Sequence, residues 1–106
     1  MGRYLIQGSY TTEGIKGVLK EGGTGRRAAV EAMTKSLGGK IEAMYYAFGE
    51  TDVYVIVDGI DNTTMVAVAM AVAATGTVKV QTTVLMTPEE IDQAAKKTIS
   101  FRPAGR

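Results

Sequence analysis

The order in which two hydrophobic periods alternate along the chain is the feature that most constrains its fold. Apolar residues at every second position are typical of a strand, and apolar residues three and four positions apart are typical of a helix. From the N-terminus, the 106-residue sequence predicts strand, helix, strand, strand, helix, strand and a final short helix. A chain of this length forms one domain of ordinary size.

Glycine-containing turns separate the predicted elements. The predicted strands cover residues 3–10, 40–48, 53–58 and 77–86, and the two long helices cover residues 26–37 and 63–74. A short helix around Ile15, Val18 and Leu19 is expected to end at Gly22-Gly23. The clearest local signal is Thr87-Pro88-Glu89-Glu90, where a threonine cap, a first-turn proline and a capping-box glutamate predict the start of the last helix.

The order β-α-β-β-α-β predicts an α+β fold of the ferredoxin-like kind with an added C-terminal helix. Right-handed crossovers place both long helices on one face of a four-stranded antiparallel sheet. Six valines suit the helix-covered face: Val53, Val55, Val57, Val78, Val80 and Val84. The other face is then predicted to carry Met44, Tyr46, Phe48, Tyr54, Ile56, Lys79, Gln81, Thr83 and Leu85.

This second face is too apolar to stand bare in water, and exposed apolar patches usually mark an interface or a ligand groove. The helix at residues 63–74 is apolar all round, which calls for burial on more than one side. The sequence therefore predicts that the chain pairs with itself, sheet to sheet, as a homodimer or a larger assembly. A pocket for a small molecule is expected between the paired sheets.

Composition excludes several chemistries. The chain has no cysteine, histidine or tryptophan, so it cannot build a Ser-His or Cys-His catalytic pair or a zinc site of the usual ligands. We predict no metal site and no bound cofactor. A net charge of +1 predicts neither a nucleic-acid nor a membrane partner. The longest apolar run, residues 65–74, is about half of a bilayer span, and we expect a cytoplasmic protein.

Two weaker candidate sites lie in turns. Glu50 and Asp52 could act as an acid and a base or bind a divalent cation, but Asp52 accepting turn hydrogen bonds beside a solvated Glu50 is the favoured interpretation. Arg26 and Arg27 follow a glycine-rich stretch before a helix and could hold a phosphate or a carboxylate. The favoured alternative is a helix junction in which Arg27 pairs with Glu31.

The first-ranked candidate site lies on the open sheet face. Tyr46 and Tyr54 could orient a ligand there, with Lys79 and Gln81 completing a polar pocket. The same four side chains could instead form hydrogen bonds between subunits, since tyrosines are common at interfaces.

Several segments resemble the GYD-domain proteins of bacteria over nearly the whole chain. They are Arg3–Thr11, Glu13–Gly17, Leu19–Gly23, Leu37–Lys40, Ala47–Gly49, Val55–Asp58, Thr82–Leu85 and Thr87–Glu90. In the name-giving Gly-Tyr-Asp segment, this chain reads Gly49-Glu50-Thr51-Asp52, with Thr51 in place of the aromatic. The resemblance implies a dimeric α/β barrel, with a GYD domain at residues 1–98 and a tail at 99–106.

Two functions are consistent with these features. The leading prediction is a small homo-oligomeric ligand-binding or structural module, because the sequence contains no catalytic constellation. The alternative is a cofactor-free enzyme of the monooxygenase or isomerase type that acts on a small cyclic molecule, as the resemblance implies for the barrel superfamily. The residues leave open whether the chain catalyses a reaction.

Overall fold

The computed structural model describes residues 2–106, which is every residue except Met1. The predicted order of elements is confirmed. The strands are β1 (Gly2–Tyr10), β2 (Lys40–Tyr46), β3 (Val53–Ile60) and β4 (Val78–Leu85). The helices are α1 (Thr12–Ser36), α2 (Asn62–Ala74) and α3 (Pro88–Ala95).

The four strands form one antiparallel sheet in the order β2-β3-β1-β4. Strand β1 lies at the centre and pairs with β3 on one side and β4 on the other. Strand β2 pairs with the outer side of β3, so β2 and β4 are the edges. This is the order expected of a ferredoxin-like fold, and the α+β prediction is confirmed.

The core lies between the sheet and the two long helices. Its buried residues are Tyr4, Val53, Val55, Val57, Ile60 and Met65. Val30 of α1 and Val68 of α2 pack against this cluster, so both helices cover the same sheet face, as predicted. Val53, Val55 and Val57 of β3 supply half of the core because a pleated strand directs every second side chain to one face.

A bulge in β2 corrects part of the predicted face assignment. The register shifts between Ile41, which pairs with Val57, and Ala43, which pairs with Ile56. One extra residue at this point moves every following side chain of β2 to the opposite face. Met44 therefore lies beside Val55 and Tyr46 beside Val53, on the helix-covered face. The prediction that Met44 and Tyr46 lie on the open face was wrong for this reason.

Phe48 also departs from its predicted place. It follows the end of β2 in the turn toward β3 and is fully exposed, so it belongs to neither sheet face. The prediction extended the strand two residues too far, because Ala47 and Phe48 continue its apolar pattern. The remaining predicted members of the open face are on strands whose register places them there: Tyr54, Ile56, Lys79, Gln81, Thr83 and Leu85.

Helix α1 is broken at Gly22, which has φ 79° and ψ 162°. Such a conformation is outside the helical region and is open to glycine because it has no Cβ atom. The predicted break at Gly22-Gly23 is confirmed. The second helical segment starts directly after the break rather than at Arg26, so the glycine-rich residues 23–25 are helical.

The C-terminal segment projects from the domain. The capping box is formed as predicted: Thr87 accepts from the Glu90 amide at 3.1 Å, and Glu90 accepts from the Thr87 amide at 3.0 Å. Residues 88–106 are all exposed. The radius of gyration is 16.9 Å, against about 13 Å for a compact chain of this length, which reflects this projection.

Two glycines in the first segment of α1 provide a matched stability test. A Cβ atom at Gly14 would lie 1.9 Å from the Thr77 carbonyl oxygen, whereas one at Gly17 would meet nothing within 4 Å. We expect Gly14→Ala to lower the free energy of unfolding by about 1–3 kcal/mol. Gly17→Ala should raise it by up to about 1 kcal/mol, because alanine is the better helix former. Urea denaturation measures both, and equal effects would contradict the close packing at Gly14.

Candidate functional site

The eight predicted site residues do not form one site. Tyr54, Lys79 and Gln81 lie on the open sheet face. Glu50 and Asp52 lie in the turn between β2 and β3. Tyr46 and Arg26 lie on the helix-covered side, and Arg26 lines a cleft beneath α1. Arg27 is exposed and lies 3.7 Å from Glu31, as the helix-junction interpretation expected.

The open sheet face has an apolar centre and a polar periphery. Leu5 and Ile56 are direct partners on the two central strands. Tyr54 pairs with Gln7, which in turn pairs with Gln81, so these three side chains form a row across the sheet. Both long helices pack on the opposite side. Neither long helix therefore covers this face.

An ion cluster closes one end of that face. The Arg3 guanidinium lies 2.9 Å from Glu42, the bulge residue, and 3.7 Å from Asp58. Hydrogen bonding and charge from Glu42, with a smaller contribution from Asp58, raise the pKa of Arg3 above its usual value. All three side chains are about one-third exposed, so the cluster fixes geometry more than it stabilises the fold.

Asp52 joins the β2–β3 turn to the end of β1. Its side chain accepts a 2.8 Å hydrogen bond from the Tyr10 amide, and its own amide donates to the Gly8 carbonyl at 2.8 Å. Glu50 is exposed, and its carbonyl accepts from the Ser9 hydroxyl. The geometry therefore agrees with the favoured interpretation, in which Asp52 accepts hydrogen bonds of the turn and Glu50 is solvated. Across residues 2–106, no three acidic side chains come together as a metal site.

A cleft of about 390 Å³ lies between α1 and the sheet. Gly8, Val53, Val55 and Val80 of the sheet line one side. The helices line the rest with apolar side chains, chiefly Val18, Val30, Met33 and Val72. Its polar lining includes Tyr10, Glu13, Glu21 and Arg26, of which Tyr10, Glu21 and Arg26 lie at one end, near Tyr46.

The break in α1 brings Glu21 and Arg26 to this polar end. Arg26 Nη1 lies 3.4 Å from Glu21 Oε2, across the non-helical Gly22. Their side chains are 34% and 46% exposed, so water screens the pair and its contribution to stability is small. Its effect on the cleft is to place one positive and one negative charge side by side.

Tyr46 lies under the second segment of α1, and a Cβ atom at Gly23 would lie 3.3 Å from its ring. Burial raises the pKa of Tyr46 to about 12, the neighbouring Tyr10 side chain adds to this, and the positive charge of Arg26 opposes it. Tyr46 is therefore protonated at neutral pH and does not act as a base there.

Tyr10 and Glu21 complete this end of the cleft and were not predicted as site residues. Tyr10 ends the first predicted strand, but its position beside Tyr46 depends on the bulge in β2. Glu21 meets Arg26 only because α1 is broken at Gly22. The glycine pair Gly22-Gly23 was the one signal in the sequence that pointed to this second contact.

A larger groove of about 780 Å³ lies between α2 and the edge strand β4. Its lining is mostly apolar and includes Val66, Met70, Val80 and Val84. At one end the Tyr4 hydroxyl donates to the Asn62 side-chain oxygen. Because this groove offers few polar groups to orient a ligand, the cleft beneath α1 is the better candidate site.

Comparison with known proteins gives one positive result. A family model described as GYD domain matches residues 4–95. No curated protein and no solved structure matches the chain. Over residues 2–106, no helix combines the length and the apolar content that crossing a membrane requires.

The role of Asp52 is tested by comparing it with Glu50 in the same turn. We expect Asp52→Ala to lower the free energy of unfolding by about 1–3 kcal/mol, because the Tyr10 amide loses its acceptor. Glu50→Ala should change it by less than about 0.5 kcal/mol, since that side chain is exposed. Thermal and urea denaturation measure both. An unchanged free energy of unfolding in Asp52→Ala would show that the hydrogen bond from the Tyr10 amide to Asp52 does not stabilise the turn.

Tyr46 predicts a distinct alkaline transition. Its raised pKa favours the protonated phenol in the folded state, so this contribution to stability is present below about pH 10 and is lost as the pH rises toward about 12. Titration of the phenolate absorbance should show one tyrosine that ionises late. Tyr46→Phe should remove that transition, whereas Tyr45→Phe should leave it, and its persistence in Tyr46→Phe would contradict the assignment.

Proposed function

The chain belongs to the GYD domain family, and we propose that it is a homo-oligomeric module that binds a small molecule in the cleft beneath α1. The observation that carries this proposal is the cleft itself. Its volume of about 390 Å³ falls in the range of small-molecule sites. Apolar walls with a few polar groups gathered at one end are the usual composition of such sites.

The backbone keeps the cleft open. Gly17 lines it and has no side chain to fill the space, and a Cβ atom there would meet nothing within 4 Å. The break at Gly22 lets the two segments of α1 follow different directions over the sheet. Both features support a binding site and add nothing to the packing of the core.

Self-association is the second part of the proposal. The open sheet face presents Leu5, Tyr54 and Ile56 with no helix over them. Pairing two such faces removes their apolar centres from water and keeps the polar periphery in contact with solvent, as in most protein interfaces. Helix α2 adds a second exposed apolar surface, since Val66 and Met70 are 57% and 67% exposed.

The lining of the cleft favours binding over the alternative of cofactor-free catalysis. A monooxygenase or isomerase of that type would need a group that removes a proton from its substrate. Tyr46, whose pKa is raised to about 12, is protonated at neutral pH and does not suit that role. The carboxylates of the lining, Glu13 and Glu21, are exposed, and Glu21 is paired with Arg26. The module we propose therefore holds its ligand without transforming it.

Native mass spectrometry of freshly purified protein tests both parts. We expect an assembly of paired subunits that carries a reproducible additional mass, which identifies the bound compound. A bare monomer would overturn the proposal as a whole. A bare assembly would retain the pairing and require the binding function to be tested with added compounds.

Ile56→Glu tests where the subunits meet. Ile56 lies between Leu5 and Ala43 at the centre of the open face, so a glutamate there would place a charge in the middle of the paired sheets. We expect the variant to be monomeric by light scattering at concentrations where the wild type is paired. Ala28→Glu adds the same charge to the exposed surface of α1 and should remain paired. A paired Ile56→Glu would place the interface elsewhere.

A further inference from the structure

We propose that the C-terminal arm of one subunit, residues 88–106, packs into the groove between α2 and β4 of a second copy of this chain. The arm consists of α3 and the residues that follow it. The proposal rests on the self-association proposed above and is independent of ligand binding beneath α1. Three features lead to it: a helix with an uncovered apolar side, an uncovered apolar groove, and the place where the arm leaves the sheet.

Helix α3 has an apolar side that nothing covers. Ile91, Ala94 and Ala95 are three and four positions apart and share one side of the helix, whereas Glu89 and Asp92 lie on another. All residues of α3 are exposed. A helix of eight residues is too short to be stable in water by itself, since most helical stability comes from packing of an apolar side. A surface that covers Ile91 would supply that packing.

The rest of the arm carries further apolar residues away from the domain. Ile99 and Phe101 are each more than half exposed, although side chains of this kind are usually found in a core. The molecule measures 56 Å along its longest axis, against 33 Å and 23 Å along the other two. The arm therefore has apolar groups to bury and does not bury them against its own domain.

The groove between α2 and β4 suits such an arm. Val66 and Met70 of α2 and Val84 of β4 line it, and each is more than half exposed. Helix α2 contains no charged residue, so the apolar side of another helix can lie against it without removing a charge from water. An unrelated helix in this groove would leave α3 uncovered, whereas the arm of a second copy covers both surfaces.

The start of α3 directs the arm away from the groove of its own chain. Strand β4 ends at Leu85, which pairs with Arg3, and α3 begins three residues later, at Pro88. The pKa of Glu90 is lowered by its hydrogen bonds with Thr87 and, to a smaller extent, by the charge of Arg3. The first turn of α3 thus lies near the ion cluster at the end of the open sheet face.

This position favours a second subunit as the recipient of the arm. The groove lies on the helix-covered side of the sheet, where α2 packs, and the arm leaves near the open face. In the proposed pairing, the open face is where the second subunit lies. If the pair has a two-fold axis, each subunit gives one arm and receives one, so both grooves are covered.

Paramagnetic NMR on mixed subunits tests this exchange. The chain has no cysteine, so Gln93→Cys provides one thiol for a spin label, on the polar side of α3. The spin-labelled protein is refolded from urea together with ¹⁵N-enriched wild-type protein, so that mixed pairs form. We expect the amide signals of Ala69, Ala73 and Val80 in the enriched copy to lose intensity, because these residues line the groove. Reduction of the spin label should restore the signals.

Variants assign the loss of intensity to the arm and the groove. Ile91→Glu in the spin-labelled copy should abolish it, because docking would bury an unpaired charge. Met70→Glu in the enriched copy should abolish it for the same reason. Ala71→Glu is the matched control: Ala71 is exposed beside Met70 and does not line the groove, so the loss should remain. Light scattering should find all three variants paired, since the open sheet face is unchanged.

Each outcome decides the proposal. A loss of intensity that Ile91→Glu and Met70→Glu both remove would support it. No loss in a sample that light scattering shows to be paired would overturn the exchange and leave self-association standing, and an arm folded onto its own groove would give this result. A loss that persists in both variants would come from sheet pairing alone and would also overturn the exchange. A sample of monomers would overturn the exchange and self-association together.

Discussion

The pairing of β1 with both of its neighbours is the constraint on which the rest of the molecule depends. Strand β1 joins β3 and β4 into one sheet, and each of its side chains therefore has a fixed face. The strand ends at Tyr10, where Asp52 holds the backbone, and the Thr11 amide donates to the Thr77 carbonyl at 3.0 Å. Helix α1 starts directly after this point, with Thr11 as its cap.

Two irregularities in otherwise regular elements form the cleft. The bulge near Glu42 turns the C-terminal half of β2 over, which puts Tyr46 beside Tyr10 on the helix-covered side. The break at Gly22 separates α1 into two segments and leaves Glu21 and Arg26 facing each other. A continuous strand and a continuous helix with the same residues would place these four side chains on different surfaces. Such interruptions are frequent beside functional sites because they redirect side chains.

The sequence predicts the regular strands and helices of this fold. It does not predict the contacts that depend on the bulge in β2, such as that of Tyr46 with its neighbours. The period of the apolar residues identified every strand and long helix, and residue chemistry identified the cap at Thr87. The bulge could not be read from the sequence. Residues 43–48 are apolar on both faces, so alternation fits either register there and an inserted residue before them is not visible in the pattern.

The candidate site was predictable to the same extent. Asp52 was expected to hold its turn, because aspartate beside glycine accepts backbone hydrogen bonds, and the structure places it so. Tyr46 and Arg26 were each predicted as site residues, but in separate sites. They are 20 residues apart in the sequence, and no local pattern indicates that two residues so far apart come close together. Tyr10 lies 36 positions from Tyr46. Contacts of this range are determined by sheet order and register, which local patterns do not encode.

The break at Gly22 also changes the electrostatics of α1. It creates two shorter helices, each with its own dipole, so a partially negative C-terminal end and a partially positive N-terminal end meet near Gly22. Glu21 stands at the negative end and Arg26 near the positive one, so each charge lies at the pole of its own sign. Their contact at 3.4 Å offsets both repulsions at once. The two residues are therefore a compensated pair, and either one alone would weaken the helix end on which it stands.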